Sequence, residues 1–374
     1  MTDTSEVVIV GGGAAGCSVA YYLALAGVKS TIIEKEGIGS QASGYSAGGL
    51  NPLQGTGIPG PLSDVAMESY LLHQDLFPKL MEATGVNYQW RITSLVKVAF
   101  DDEDPPEIQE TFDTFTSTDG FEADMLDREQ LLDLEPRISS EVSQGVVARG
   151  NASLDSYKYT LALAQAAEKM GVSVQSGTVQ GLERTNGRVT GVLLEGRVLH
   201  CDQLVMATGP WSRIAEPWLG AYVPVDPLKG EILRMELPGG PLGHDMSGGG
   251  GSLYPKPDGL VWCGTTEDWR GYDRSTTESA RQRILNGAVK LIPDMAKAQL
   301  VLHTACLRPV TPDWLPIIGR APGLDNAFLA TGAGKKGILL SPAIGKAVAD
   351  QITKGETQLS VAEFDPARFA SPTD

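Results

Sequence analysis

The sequence predicts an α/β fold organised around a nucleotide-binding unit, and three observations carry that expectation. The chain opens with a β-branched apolar run, a glycine turn and a helical pattern, and two later segments repeat the form of an apolar strand ending in glycine. Glycine also reaches 44 of 374 residues, against roughly 7% in average proteins, without any G-X-Y period. At this length and 42% hydrophobic content, about two domains and a sizeable core are expected.

The first element is Val7-Val8-Ile9-Val10, apolar and β-branched as a buried strand requires, leading at once into Gly11-Gly12-Gly13-Ala14-Ala15-Gly16. A helical pattern follows as far as Gly27, which occupies a C-cap position. G-x-G-x-x-G thus lies between a strand and a helix, the context that gives the motif its meaning. Gly11 permits the tight turn, Gly13 lets a pyrophosphate approach the backbone, and Gly16 allows helix and strand to pack closely. Free N–H groups at the helix start, around Ala14 and Ala15, would face the anion. The next strand, Ser30-Thr31-Ile32-Ile33-Glu34, ends in an acid 23 positions after Gly11 and is followed by Lys35. A carboxylate there accepts both ribose hydroxyls of an adenosine and repels a 2'-phosphate. This segment leaves NAD and FAD both open.

The stretch from Val7 to Val28 holds 22 residues without a charge, long enough on paper to cross a bilayer. Its flank carries Asp3 and Glu6 instead of basic residues, and glycines break its interior, so no membrane insertion is expected. Acidic residues outnumber basic ones 46 to 30, the net charge is −16, and no basic block exceeds a pair. Nucleic acid is therefore an unsuitable partner. Cys17, Cys201, Cys263 and Cys306 are widely spaced, which suits a reducing cytoplasm better than disulfides or zinc. His73, His200, His244 and His303 form no ligand-spaced pair, so no metal is expected.

Further along, residues 39–49 form a small, glycine-rich loop suited to close passage beside a flat ring and a diphosphate. Leu204-Val205-Met206-Ala207-Thr208-Gly209-Pro210-Trp211-Ser212 is an apolar strand running into a Gly-Pro turn. Ala327-Phe328-Leu329-Ala330-Thr331-Gly332-Ala333-Gly334 repeats that form and leads into a helix expected over about 339–353. Between these units come the acidic run Asp101-Asp102-Glu103-Asp104, a helix start at Leu126-Asp127-Arg128-Glu129-Gln130, and Lys229-Gly230-Glu231. Asp258-Gly259 between apolar runs signals a hairpin. Residues 239–251 hold seven glycines and no periodicity, and are expected as a mobile loop near the substrate entrance.

The opening fingerprint with Glu34, the loop of Gln41, Ala42, Ser43, Ser46, Ala47 and Gly48, the segments Ala207 to Ser212, Leu307-Arg308-Pro309-Val310-Thr311-Pro312-Asp313 and Pro316-Ile317-Ile318-Gly319, and the tail from Gly332 to Pro342 together resemble the D-amino-acid-oxidase family of FAD enzymes. The similarity spans nearly the whole chain and is greatest to the glycine oxidase and sarcosine oxidase branch. It implies a Rossmann-like FAD-binding domain interleaved with an α+β substrate domain on a mostly antiparallel sheet. We assign 1–85, 150–222 and 305–374 to the first, and 86–149 and 223–304 to the second.

The resemblance also implies roles. The family's glycine oxidases bind the substrate carboxylate with an arginine matching Arg308, whose planar fork suits a carboxylate; a structural ion pair is the alternative. Gly334, Lys335, Lys336, Gly337, Ile338 and Leu339 would bring a helix N-terminus to the flavin edge where negative charge accumulates, with either lysine alternatively a solvated side chain. Val179 matches the position that meets adenine, and Thr208, Gly209 and Trp211 belong to the cofactor wall. In sarcosine oxidases a cysteine matching Cys306 holds the flavin covalently, but an arginine two residues later fits the noncovalent branch. Noncovalent FAD is expected, and a thioether through Cys306 is the alternative. Ser252, Glu267 and Gly49 stand where glycine oxidase has a tyrosine and two methionines, which suggests room for a larger substrate, one with a distal cationic group, or a simple surface acid at Glu267. Trp262 and Tyr254 are candidates for the cavity lining.

The expected reaction is oxidation of an amino acid or N-alkyl amino acid, with a hydride passing to flavin N5 and the imine then hydrolysing. Electrons would go on to oxygen or another acceptor, and the chain would act as a homo-oligomer or within a heteromeric complex. The alternatives are an FAD-binding subunit of a heteromeric amine or proline-type dehydrogenase, a sarcosine oxidase-like enzyme with covalent flavin, and an NAD-linked or monooxygenase flavoprotein.

Overall fold

A computed structural model describes residues 4–100 and 105–369; the acidic run at 101–104 lies outside them. Two sheets organise the chain. In the first, strands Ala327–Thr331, Arg197–Met206, Thr4–Val10, Ser30–Glu34 and Ser173–Ser176 lie side by side and parallel, with Ile317–Arg320 antiparallel at one edge. A meander of Gly181–Thr185 and Arg188–Leu194 adds antiparallel to the start of Arg197–Met206. Successive side chains of the opening strand point to opposite faces. Val7 and Ile9 join one core with helices Ala14–Leu25, Ser156–Lys169 and Gly337–Lys354, whereas Val8 and Val10 join a second core with the meander. Burial on both faces explains why the run is apolar at every position. Gly345 lets two helices touch, since a Cβ there would come within 2.5 Å of Ser18.

The second sheet runs in the order Gln299–Val310, Asp226–Glu236, Val261–Gly264, Gly251–Pro255, Asp245–Gly248, Arg91–Ala99, Gln144–Ser153 and Gly49–Leu50, with Glu122–Asp127 also on Gln144–Ser153. Every pairing is antiparallel except that of Asp245–Gly248 with Arg91–Ala99. Helix Glu278–Leu291 covers one face, packing Ile284, Ala288 and Leu291 on Leu233, Leu253 and Cys263. The opposite face looks toward the carboxyl ends of the parallel strands. Strands Gln144–Ser153 and Gln299–Val310 span residues 150 and 305, so Arg308 sits on the second sheet.

Most local expectations hold. Asp127 and Gln130 form a reciprocal cap at the start of helix Arg128–Leu134, Gly27 takes φ +79° after Ala14–Leu25, and Asp258-Gly259 turns the hairpin. The late helix begins at Gly337, two residues before the expected start. The glycine-rich stretch 239–251 corrects the expectation of a loop without structure. It contains strand Asp245–Gly248, which pairs with Leu95 to Lys97 and turns back into Gly251–Pro255. Gly248, Gly249 and Gly250 take the positive φ of the turn, and Gly248 also serves packing, since a Cβ on it would lie 2.4 Å from the Val98 carbonyl oxygen. Among the described residues no helix is long and apolar enough to cross a membrane.

Candidate active site

A cavity of about 530 Å³ lies between the two sheets, at the carboxyl ends of the parallel strands. That edge is where a parallel sheet leaves its loops and helix N-termini for a ligand. Gly11 turns at φ +109° and donates to the Ile33 carbonyl at 2.9 Å. Gly16 is outside the cavity wall; a Cβ there would meet the Gly11 oxygen at 2.0 Å, so it serves close packing. Gly13, Ala14 and Ala15 line the cavity at the start of helix Ala14–Leu25, which has no side-chain cap from Gly13. The Ala14 N–H donates to Ser43 Oγ at 2.9 Å. Glu34 lies beside them, its Oε2 accepting the Gly12 N–H at 2.7 Å. The Lys35 Nζ sits 3.7 Å from the centroid of the Trp211 ring, which stacks in turn on Tyr272. Gln41 lines the same wall and hydrogen-bonds Glu36, while Val179, Thr208 and Gly209 complete it.

Farther in, Ala42, Ser46, Ala47, Gly48 and Gly49 form one side of the cavity. Gly334, Lys335, Gly337 and Ile338 form another, so helix Gly337–Lys354 starts at the wall, where its first N–H groups have no partners within the helix. Helix Ser63–Thr84 holds this start from behind: His73 Nε2 donates to the Ile338 carbonyl at 2.9 Å, and Ser69 donates to that of Leu339 at 2.7 Å. Burial pushes the His73 pKa down to about 4, so the ring is neutral. Leu339 is buried beneath the wall and not in it. Lys336 also turns away, donating to the carbonyls of Asn51 at 3.0 Å and Gln54 at 2.5 Å. Burial lowers its pKa to about 8, with Lys335 adding to the effect.

The second sheet contributes Arg308, Cys306, Gly230 and Tyr254. Arg308 Nη1 donates to the Thr266 carbonyl at 3.0 Å, and among the described residues no carboxylate lies within 4.0 Å of the guanidinium. Its fork is available to a ligand carboxylate. Gly230 makes the space: a Cβ there would meet Arg308 Nη1 at 2.3 Å and Cζ at 2.4 Å. Because the obstructing atoms end a flexible side chain, Gly230→Ala should leave the fold intact and push the guanidinium aside. A misplacement of about 1 Å can cost on the order of 100-fold in rate, so kcat/KM is expected to fall at least about tenfold with FAD content unchanged. An unaltered kcat/KM would show that Arg308 does not hold the substrate.

Ser252 and Glu267 are not in this wall; they line a smaller neighbouring pocket of about 220 Å³ that shares Thr265 with it. Tyr254, two residues from Ser252 on the same strand face, reaches the cavity in its place. Burial raises the Tyr254 pKa, with Ser252 and Arg308 pulling the other way, and its hydroxyl stays protonated. Glu267 is ion-paired with Lys335, so a cationic substrate group would have to compete with that lysine. Trp262 lies under Arg234, 3.9 Å from the ring centroid, and outside the cavity. Cys306 faces the cavity, and burial raises its thiol pKa against the pull of Arg308. Sequence reasoning missed Thr265, Thr304 and Ile232, which join the wall from three different strands or their ends and carry no motif.

A family model described as FAD dependent oxidoreductase matches residues 6–351. The chain belongs to this family. It is 29% identical over 370 residues to the glycine oxidase of Geobacillus kaustophilus (strain HTA426), covering 98% of both chains. It is also 29% identical over 382 residues to the bifunctional protein ThiO/ThiG of Synechocystis sp., covering all of this chain and 55% of that protein, so the chain spans about half its length. The crystal structure of the Geobacillus kaustophilus glycine oxidase superposes with a TM-score of 0.92 at 27% identity, over 99% of this chain and all of the other. The family's FAD fits the residues present. Gly13 leaves its Cα open toward the cavity, with only Ser43 Oγ near a would-be Cβ, and the helix it begins has no acid in its first turn to repel a phosphate. Glu34 stands one strand away for a ribose, and the second helix N-terminus stands at the far end for the ring.

Proposed function

We propose that this chain oxidises a small amino acid or N-alkyl amino acid, and the observation that carries the reading is the Arg308 fork, free of any acidic partner inside the FAD cavity. Bound FAD supplies the hydride acceptor. Arg308 holds the substrate carboxylate through charge-assisted bonds, and the protonated Tyr254 hydroxyl donates beside it. The start of helix Gly337–Lys354 supplies positive potential to the opposite wall, where charge develops during the reaction. Among the described residues no histidine lines the cavity, and in this reading the substrate amine arrives unprotonated and the chain's task is positioning.

The raised thiol pKa of Cys306 supports noncovalent FAD, since a thiolate is the nucleophilic form of cysteine. Segments 1–85, 150–222 and 305–374 are our assignment for FAD binding and 86–149 and 223–304 for the substrate side, with strands Gln144–Ser153 and Gln299–Val310, Arg308 included, crossing those bounds into the substrate sheet. A cytoplasmic location is supported by the four unpaired, buried cysteines. Anaerobic mixing of the FAD-loaded protein with glycine, sarcosine, L-proline and the two enantiomers of other amino acids tests the function. Bleaching of the yellow flavin by at least one, with the denatured chain at its unmodified mass, is expected. A monodisperse chain that none of them bleaches, but that is reduced once a partner protein is added, would instead be a subunit of a heteromeric dehydrogenase.

A further inference from the structure

The loop that walls the FAD cavity is held by three consecutive carbonyl groups. Ser46 accepts from the Ser156 hydroxyl at 2.9 Å, Gly48 accepts from the Leu154 N–H at 3.0 Å, and Ala47, between them, accepts from Lys256 Nζ. None of the three donors lines the cavity, so the carbonyls are turned out of it. Ser156 and Leu154 belong to the chain that leads from the second sheet into helix Ser156–Lys169. Lys256 comes from elsewhere: it sits in the hairpin between Gly251–Pro255 and Val261–Gly264, and it supplies the one charged bond of the three.

Lys256 does not line the cavity, yet it is a partly buried cation with no carboxylate within 4.0 Å among the described residues. Its other partner is Ser153 Oγ at 3.3 Å. Arg91 Nη2 fixes the neighbouring Pro255 carbonyl at 2.9 Å and so holds the base of the lysine. The groups that face the ammonium are Asp245 and Asp155, Asp258 in its own turn, the like charge of Arg91, and the Trp262 ring at 5.4 Å. A cation placed on one carbonyl, where an exposed site would need none, fixes the direction of the Ala47–Gly48 peptide, whose N–H donates to Ser46 Oγ at 3.1 Å.

We propose that Lys256 is a positioning residue for FAD, its ammonium locking the Ala47 carbonyl outward so that the 46–49 loop keeps the shape that receives the flavin and feels a positive charge behind it. Burial, countered by Asp245, lowers the pKa of Lys256 to about 8, so the lock is charged at neutral pH and weakens in mild alkali. The sign follows: if FAD favours the charged form, affinity falls as pH rises through about 8.

The test compares wild type, Lys256→Met and Lys256→Arg by FAD titration of the apoprotein, followed through flavin fluorescence, and by the flavin midpoint potential. One charge-assisted hydrogen bond corresponds to a factor of about 10 to 100, so the methionine variant should raise the FAD Kd at least about tenfold and lower the potential. The arginine variant should stay within about threefold of wild type at neutral pH and lose the alkaline decline in affinity, because its guanidinium does not titrate there. A methionine variant with a lower Tm but unchanged Kd and potential would reduce Lys256 to a structural contact and overturn the proposal. If that variant does not fold, Lys256→Gln, which keeps a hydrogen-bond donor without the charge, takes its place, and an unchanged Kd and potential in it overturn the proposal.

Discussion

Replacing Arg308 with methionine is expected to lower kcat/KM for the amino-acid substrate by roughly 100- to 1,000-fold, because a bidentate pair of charge-assisted bonds is worth about 3–4 kcal/mol and each 1.4 kcal/mol is tenfold. FAD content should not change, since the guanidinium's hydrogen bond is to the Thr266 carbonyl and its stem lies on the substrate sheet. The loss should fall mainly on KM if the carboxylate is held equally in the ground and transition states, and on kcat as well if it fixes the angle of approach. Arg308→Lys restores a charge but not the fork, and should recover only part of the loss. The measurement is steady-state kinetics on the purified FAD-loaded variants against the substrate found in the reduction panel. A methionine variant within about threefold of wild type would transfer the carboxylate site elsewhere.

The contrast between Arg308 and its neighbours explains what a sequence can and cannot disclose here. The phosphate turn is legible because strand, turn, helix and terminal acid are consecutive, from Thr4 to Glu34, and local chemistry specifies each. Arg308 is legible through a motif shared with a family. Gly230 carries no such signal: its meaning comes from the register that sets Leu228 opposite Arg308 and Gly230 opposite Cys306, a pairing of strands some 80 residues apart in the chain. Tyr254 and Ser252 share a face because they are two apart, and only the tertiary fold decides which of them reaches the cavity. The glycine-rich stretch misled for a related reason. Strand Asp245–Gly248 is too short to show a period, and its parallel partner, Arg91–Ala99, lies far back in the chain. Lys256 looks like an ordinary hairpin lysine until Ala47 is seen against it.

The second large effect concerns the turn itself. Gly11→Ala is expected to yield protein that retains no yellow FAD through purification and has a lowered Tm. At φ +109° a side chain is strained by about 1–3 kcal/mol, and here strain is the smaller part. The new Cβ would sit 2.3 Å from the Ala207 carbonyl oxygen, a backbone atom that cannot swing away. Relief requires moving the turn or the end of Arg197–Met206, yet both are tied: Gly11 donates to Ile33 at 2.9 Å and Ala207 donates to Val10 at 2.8 Å. Any shift therefore misaligns Gly13, Ala14 and Glu34 together, and with them the surface prepared for the pyrophosphate and ribose. Gly27→Ala separates the two causes. Gly27 also has positive φ, at +79°, but nothing lies within 4 Å of its would-be Cβ. It should lose about 1 kcal/mol of stability and keep its flavin. Retention of FAD by both variants would mean that the turn's shape is not what binds the cofactor, whereas loss by Gly11→Ala alone would locate the binding energy in the turn that the first sixteen residues specify.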